Sequence, residues 1–126
     1  MNEYLSYQDV FLIPQFSGYH TRDEANTSVK FGDRTFKLPI VPANMECVID
    51  TDIARKMSAN DYFYIMHRFN KDKTKPANTD NLEFVTRANL EKWKTISVSI
   101  GVKDEDKLLI ECCIRGYLSI DYLTID

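Results

Sequence analysis

From Pro39 onward the chain alternates short apolar runs with stretches of helical spacing, and no other feature limits its fold as tightly. The runs are Ile40-Val41, Tyr62-Phe63-Tyr64-Ile65-Met66, Thr95-Ile96-Ser97-Val98-Ser99-Ile100 and Tyr122-Leu123-Thr124-Ile125. Between them the residues predict three helices. The first starts at the capping candidates Asp50 or Thr51, carries Ile53 and Met57 on one face and ends near Asn60. The second runs from about Asn81 to Lys94 with Leu82, Val85 and Trp93 buried. The third opens at Lys103 and Asp104, buries Leu108, Leu109, Cys112 and Cys113, and stops at Gly116. Strands that alternate with helices pair in parallel through right-handed crossovers, and runs apolar on both faces belong to a sheet covered on both sides. The fold class is therefore α/β, with about four parallel strands.

The spacing narrows it further. The positions just past each strand, 44, 67, 99 and 126, recur at intervals of 23, 32 and 27 residues. Those intervals bracket the roughly 30 residues per unit of an eight-unit β/α barrel. Four units make half of such a barrel, and the sequence stops at Asp126 on the last residue of a strand. An apolar strand edge left open in this way points to a piece of a longer protein. Ahead of the alternating region, Tyr7, Val10, Phe11, Leu12 and Ile13 form an apolar cluster halted by Pro14 in an irregular arm. Two period-two runs, Ser28 to Phe31 and Arg34 to Leu38, then flank Gly32-Asp33, which predicts a β-hairpin. The 126 residues thus read as one domain, with 1–38 the arm and hairpin and 39–126 the half-barrel. The hairpin is expected outside the parallel sheet, as a cap over one barrel mouth.

Composition excludes several functions. The net charge of −3 is spread along the chain, which argues against nucleic-acid binding through a clustered basic face. No apolar stretch approaches the roughly 20 residues of a membrane span, and the first residues lack a basic region followed by an apolar core. A cytoplasmic location is expected. The 3 cysteines include the adjacent pair Cys112 and Cys113, which suits neither a disulfide framework nor a spaced zinc motif, so all three are read as reduced packing thiols. No metal site is predicted. Cys47 lies near the rim without a residue that would lower its pKa.

Ligands of parallel α/β folds sit at the carboxyl ends of the strands. Those ends carry Asn44, Met45 and Glu46, then His67, Arg68 and Phe69, then Ser97, Ser99 and Gly101, then Asp126. Arg68 suits a phosphate or carboxylate bidentately, or an ordinary salt bridge to Asp61, Asp72 or Glu46. His67 can donate to a carbonyl, an amide or a phosphate. Neither common phosphate-loop fingerprint occurs, and no hydrolase or zinc-protease motif does.

Taken together, Tyr7-Gln8-Asp9-Val10-Phe11-Leu12-Ile13-Pro14, Thr21-Arg22, Lys37-Leu38-Pro39-Ile40-Val41-Pro42-Ala43-Asn44-Met45, the block from Tyr62 to Phe69, the block from Ile96 to Val102, and Tyr122 to Asp126 closely resemble the amino-terminal part of bacterial GMP reductases. That family, shared with IMP dehydrogenases, implies a (β/α)8 TIM barrel. It implies NADPH-dependent reduction of GMP to IMP with release of ammonia, in a homo-oligomer, a tetramer by resemblance. It also places Asn44 and Met45 near the purine of GMP or IMP, and His67, Arg68, Ser97, Ser99, Gly101 and Asp126 along the NADPH cofactor. The family's nucleophilic cysteine belongs to a glycine-rich loop after a later strand, and Cys47, Cys112 and Cys113 match no such loop. This chain alone is therefore expected to be inactive and to need the carboxyl-terminal half of the barrel as a partner. Two alternatives stand beside the reductase. An IMP dehydrogenase usually carries a regulatory insertion between its second and third barrel strands, whereas Met66 to Thr95 has room for one loop and one helix. A non-catalytic half-barrel acting as a binding or assembly module is the other.

Overall fold

A computed structural model describes residues 5–126. A two-residue turn joins β1 (Val29–Phe31) to antiparallel β2 (Arg34–Phe36), with Gly32 at φ +59° supplying the left-handed geometry at the first turn position. Three helices follow, α1 (Thr51–Ala59), α2 (Thr79–Leu90) and α3 (Asp104–Arg115), with β3 (Ser97–Ile100) before α3 and β4 (Tyr122–Ile125) after it. β3 and β4 pair in parallel, Ser97 opposite Tyr122 through Ile100 opposite Ile125.

Four parallel strands were expected, and the structure forms fewer. The 62–66 segment joins β3 through a single parallel bridge, Met66 to Val98, in which Met66 N donates to Ser97 O and Ser99 N to Met66 O. Residues 40–45 form no strand. Pro39 and Pro42 remove two N–H donors there, and Ile40 and Val41 are exposed, so neither ladder nor burial holds them straight. The arm differs too: Tyr7, Phe11, Leu12 and Ile13 are all exposed and form no cluster, and its described part holds one 3-10 turn, Arg22–Glu24.

The core lies between the outer sheet face and the helices. Tyr64, Met66, Ile96, Val98 and Ile100 share one buried cluster with Phe84, Val85 and Ala88 of α2 and Leu109 and Cys113 of α3. Burying each of the Met, Ile, Val, Leu and Phe side chains contributes about 1.5–3 kcal/mol. Because side chains alternate across a strand, the intervening residues face the opposite side of the sheet: Phe63 and His67, Ser97 and Ser99, Tyr122 and Thr124.

Helix faces are turned relative to expectation. Asp50 caps α1, its carboxylate accepting from Ile53 N at 2.8 Å, but Ala54 and Ser58 are the buried pair, Met57 is half-buried and Ile53 exposed. In α2 the buried residues are Asn81, Phe84, Val85 and Ala88; Trp93 lies past the helix end, its ring edge-on to Phe84 at 5.4 Å. In α3 Leu109 and Cys113 are buried while Leu108 and Cys112 are exposed. Cys47 is exposed as well, so only Cys113 packs, and all three are free thiols. Gly116 ends α3 at φ −84°, and Tyr117 takes the left-handed step instead.

The hairpin stands outside the parallel pair and closes the amino-terminal ends of the strands. Phe31 stacks on Tyr122 at 5.2 Å and meets Phe63 edge-on at 5.1 Å, while Phe36 lies 5.2 Å from Phe63. The Tyr122 hydroxyl donates to Phe31 O at 2.6 Å, and Arg34 pairs with Asp121 at 2.6 Å.

Candidate functional site

At the opposite, carboxyl-terminal end, four chain segments converge. Asp126 follows β4 directly, and its N–H donates to Ile100 O at 2.9 Å, which fixes the backbone carrying the carboxylate. Its Oδ2 lies 3.5 Å from Arg68 Nε and 3.5 Å from Asn44 Nδ2. Residues from three of the four expected strand ends thus meet at one carboxylate. The Arg68–Asp126 distance is within ion-pair range, but the N–H is not aligned on the oxygen, and Arg68 Nε is buried without a hydrogen-bond partner among the described residues. The Arg68 guanidinium also lies over the Phe69 ring, 4.8 Å from its centroid. None of the carboxylates expected to pair with Arg68, those of Asp61, Asp72 and Glu46, does so; Asp61 holds Lys94 instead.

Gly101 ends β3 in a crowded place. A β-carbon there would stand 2.4 Å from Asp106 Oδ2 and 3.2 Å from Arg68 Nη1. The missing side chain therefore lets a carboxylate and a guanidinium approach the strand end, rather than opening room for a ligand at that point. Asp106 is the buried centre of this rim. Its Oδ1 accepts from Asn78 Nδ2 at 3.0 Å and its Oδ2 from Lys103 N at 3.2 Å. The Asn78 hydrogen bond, then those from backbone N–H groups and the Arg68 charge, hold its carboxyl below the ordinary value of 3.8 against the cost of burial.

His67 is 3 % exposed, and its Nδ1 accepts from Phe69 N at 3.2 Å. That bond assigns the proton of the neutral ring to Nε2. Ser99 is fully buried and its hydroxyl donates to Met66 O at 2.8 Å, tying β3 to the end of the 62–66 segment. Ser97 is also fully buried, but it opens β3 and lies three residues short of the strand's carboxyl end, with Oγ unpartnered. Met45 is exposed and lines a shallow hollow with Glu46, Cys47 and Phe69. The structure thus brings Asn44, Arg68 and Asp126 together, places Gly101 beside Arg68, and sets Ser97 apart from the mouth.

Sequence reading passed over Asn78, Asp106 and Asn81. Asn81 is buried and donates to Ser99 O at 3.0 Å, holding α2 to the carboxyl-terminal part of β3. Asp106 had a local signal, an acid three residues after the capping position of α3, where a carboxylate can accept from the capping residue's N–H. Asn78 had a weaker one, since asparagine tolerates the left-handed φ of +61° found there.

Against known proteins, residues 4–126 match the family model described as IMP dehydrogenase / GMP reductase domain. The chain is 43% identical over 124 residues to a GMP reductase of Lactobacillus acidophilus, covering 98% of this chain and 35% of that protein. It is 44% identical over 120 residues to one from Staphylococcus epidermidis and 42% identical over 126 residues to one from Oceanobacillus iheyensis. The chain therefore spans about 35% of the length of the curated relatives it matches. Among solved structures, an inosine 5′-monophosphate dehydrogenase from Legionella pneumophila superposes with a TM-score of 0.65 at 22% identity, over 94% of this chain and 34% of that one. That likeness gives the fold, part of a β/α barrel.

Proposed function

Because the chain belongs to the IMP dehydrogenase / GMP reductase family, we propose that it forms the amino-terminal part of a GMP reductase barrel. In that reading the whole enzyme reductively deaminates GMP to IMP with NADPH, releases ammonia, and works as a homo-oligomer. The observation that carries the reading within this chain is the meeting of Asn44, Arg68 and Asp126 at the carboxyl-terminal mouth, where barrel enzymes hold their substrates.

The rim residues fit a dinucleotide. Arg68 offers a guanidinium whose buried Nε–H has no partner among the described residues, a group suited to an anionic or hydroxyl-rich ligand. NADPH supplies the hydride when bound. Asp126 accepts hydrogen bonds from ribose hydroxyls, and Arg68 balances its charge. His67 presents its Nε2–H as a donor to a carboxamide or carbonyl oxygen, in an orientation set by Phe69 N. The Asn44 amide reads a purine edge, and Met45 covers the ring with an apolar surface. Ser99 and Gly101 position these groups: Ser99 locks two strands together, and Gly101 admits Arg68 and Asp106 to the strand end. The nucleophile comes from the remainder of the barrel: Cys47 borders the hollow that Met45 lines, but none of the three cysteines sits in the glycine-rich loop the family's nucleophile occupies.

The test joins residues 1–126 to the remaining barrel of the Lactobacillus acidophilus relative and follows NADPH absorbance. We expect consumption that depends on GMP and falls at least tenfold in Asp126→Ala and Arg68→Ala. A folded joined protein without GMP-dependent consumption would refute the proposal, as would a purified 126-residue chain that turns over unaided.

A further inference from the structure

Beside the mouth, a cavity of about 500 Å³ opens between the 68–78 loop and the first turn of α3. Arg68, Lys73, Lys75 and Lys103 line it, against only Glu105 and Asp106. The two acids offset Arg68 and Lys103 in part, and the four cations still outnumber them. Asp106 already accepts from Asn78 and Lys103 N, and Glu105 lies 3.8 Å from Lys103 Nζ with both side chains exposed. Lys75 is held by Asp80 at 3.2 Å and Glu83 at 3.6 Å. Lys73 makes no ion pair among the described residues, so a cation is presented to the cavity unspent.

The loop that presents it is braced. Asn70 donates to Pro76 O at 2.6 Å and accepts from Asp80 N at 3.0 Å, while Asp80 accepts from Lys71 N at 2.8 Å. Asp72 accepts from both the N–H and the hydroxyl of Thr74. A second observation points to a ligand. Asn78 lines the cavity, is 4 % exposed, and has its amide orientation fixed by donation to Asp106; its Oδ1 is buried with no donor among the described residues. A buried acceptor without a donor costs about 1–3 kcal/mol, so the site calls for a group that donates as well as one that is anionic.

We propose that this cavity binds a sugar phosphate, with the phosphate between Lys73 and Lys103 and a hydroxyl donating toward Asn78. The cavity shares Arg68 with the proposed cofactor cleft but neither Asn44 nor Asp126, and its phosphate seat does not rest on the reductase reading. A dianion approached by cations from two sides fits better than a carboxylate, and the volume lies within the range of small-molecule pockets.

The probe is ribose 5-phosphate, titrated calorimetrically into the 126-residue chain. Saturable binding is expected, weakening as salt is raised. The double variant Lys73→Gln with Lys103→Gln, both at exposed side chains, should weaken it at least tenfold, whereas Lys56→Gln on α1 should leave it unchanged. Thermal unfolding of the variants confirms that they keep the fold. Equal affinity of the double variant, or no saturable binding by the folded chain, would overturn the proposal. Displacement of the sugar phosphate by NADPH would overturn the independence of that phosphate seat.

Discussion

The two ends of the strands are built on opposite principles. At the amino-terminal end, Phe31, Phe36, Phe63 and Tyr122 form a closed group of rings with centroids 5.1–6.0 Å apart, and Phe36 is 2 % exposed. At the carboxyl-terminal end, Asn44, Arg68 and Asp126 meet through 3.5 Å contacts and are half-buried or exposed. One end is shut by apolar area and ring geometry. The other keeps charges close enough to interact but poorly enough satisfied to accept a ligand. Barrel enzymes keep stability at one face and chemistry at the other, and under the proposed function the two ends of this chain follow that division.

Truncating the closed end should have the largest effect. Phe36→Ala removes a ring buried against Phe63 and Tyr122 and should cost about 3–5 kcal/mol in urea unfolding. Arg68→Gln at the open end should cost less than about 1 kcal/mol in the same measurement, since its ion pair is long and partly exposed. Comparable losses for the two variants would erase the contrast.

Next comes Gly101→Ala, whose new methyl meets Asp106 and Arg68 and should cost about 1–3 kcal/mol. In the joined barrel it should also lower GMP-dependent NADPH consumption, because Arg68 must move. A stability equal to wild type would show that the rim is looser than its distances imply.

Asp106 sharpens the comparison through pH. Its folded pKa is depressed, so its contribution is complete above the ordinary carboxylate value of 3.8 and is lost as pH falls through the lower folded value. Hydrogen exchange of the 70–78 loop should therefore quicken in that acid window, ahead of the aromatic end. Asp106→Asn should remove the pH step while leaving the fold intact.

The smallest effect is expected at Arg34 and Asp121. Arg34→Ala should cost about 0.2–1 kcal/mol, whereas Asp121→Ala should cost more, because Asp121 Oδ2 also accepts from Ile96 N at 2.8 Å and leaves that donor unpaired. A thermal unfolding series on the two single variants distinguishes them.

What the sequence determined by itself is local. Gly32 at a hairpin turn, Asp50 as a helix cap and the existence of α2 and α3 follow from interactions within a few residues, and each appears where the residues put it, though the buried faces of the helices do not. The carboxyl ends of β3 and β4 were legible for the same reason, because strand length and crossover length limit where chains can turn. Tertiary structure decided the rest. Whether Ile53 or Ala54 is buried depends on which way a neighbouring element approaches, and Pro39 and Pro42 left 40–45 without the pairing that its apolar residues suggested. Arg68 met Asp126 across 58 positions, and Asn78 met Asp106 across 28. Such contacts depend on how the strands and helices are assembled, because a charged side chain has several partners within reach of its spacing and only packing selects one.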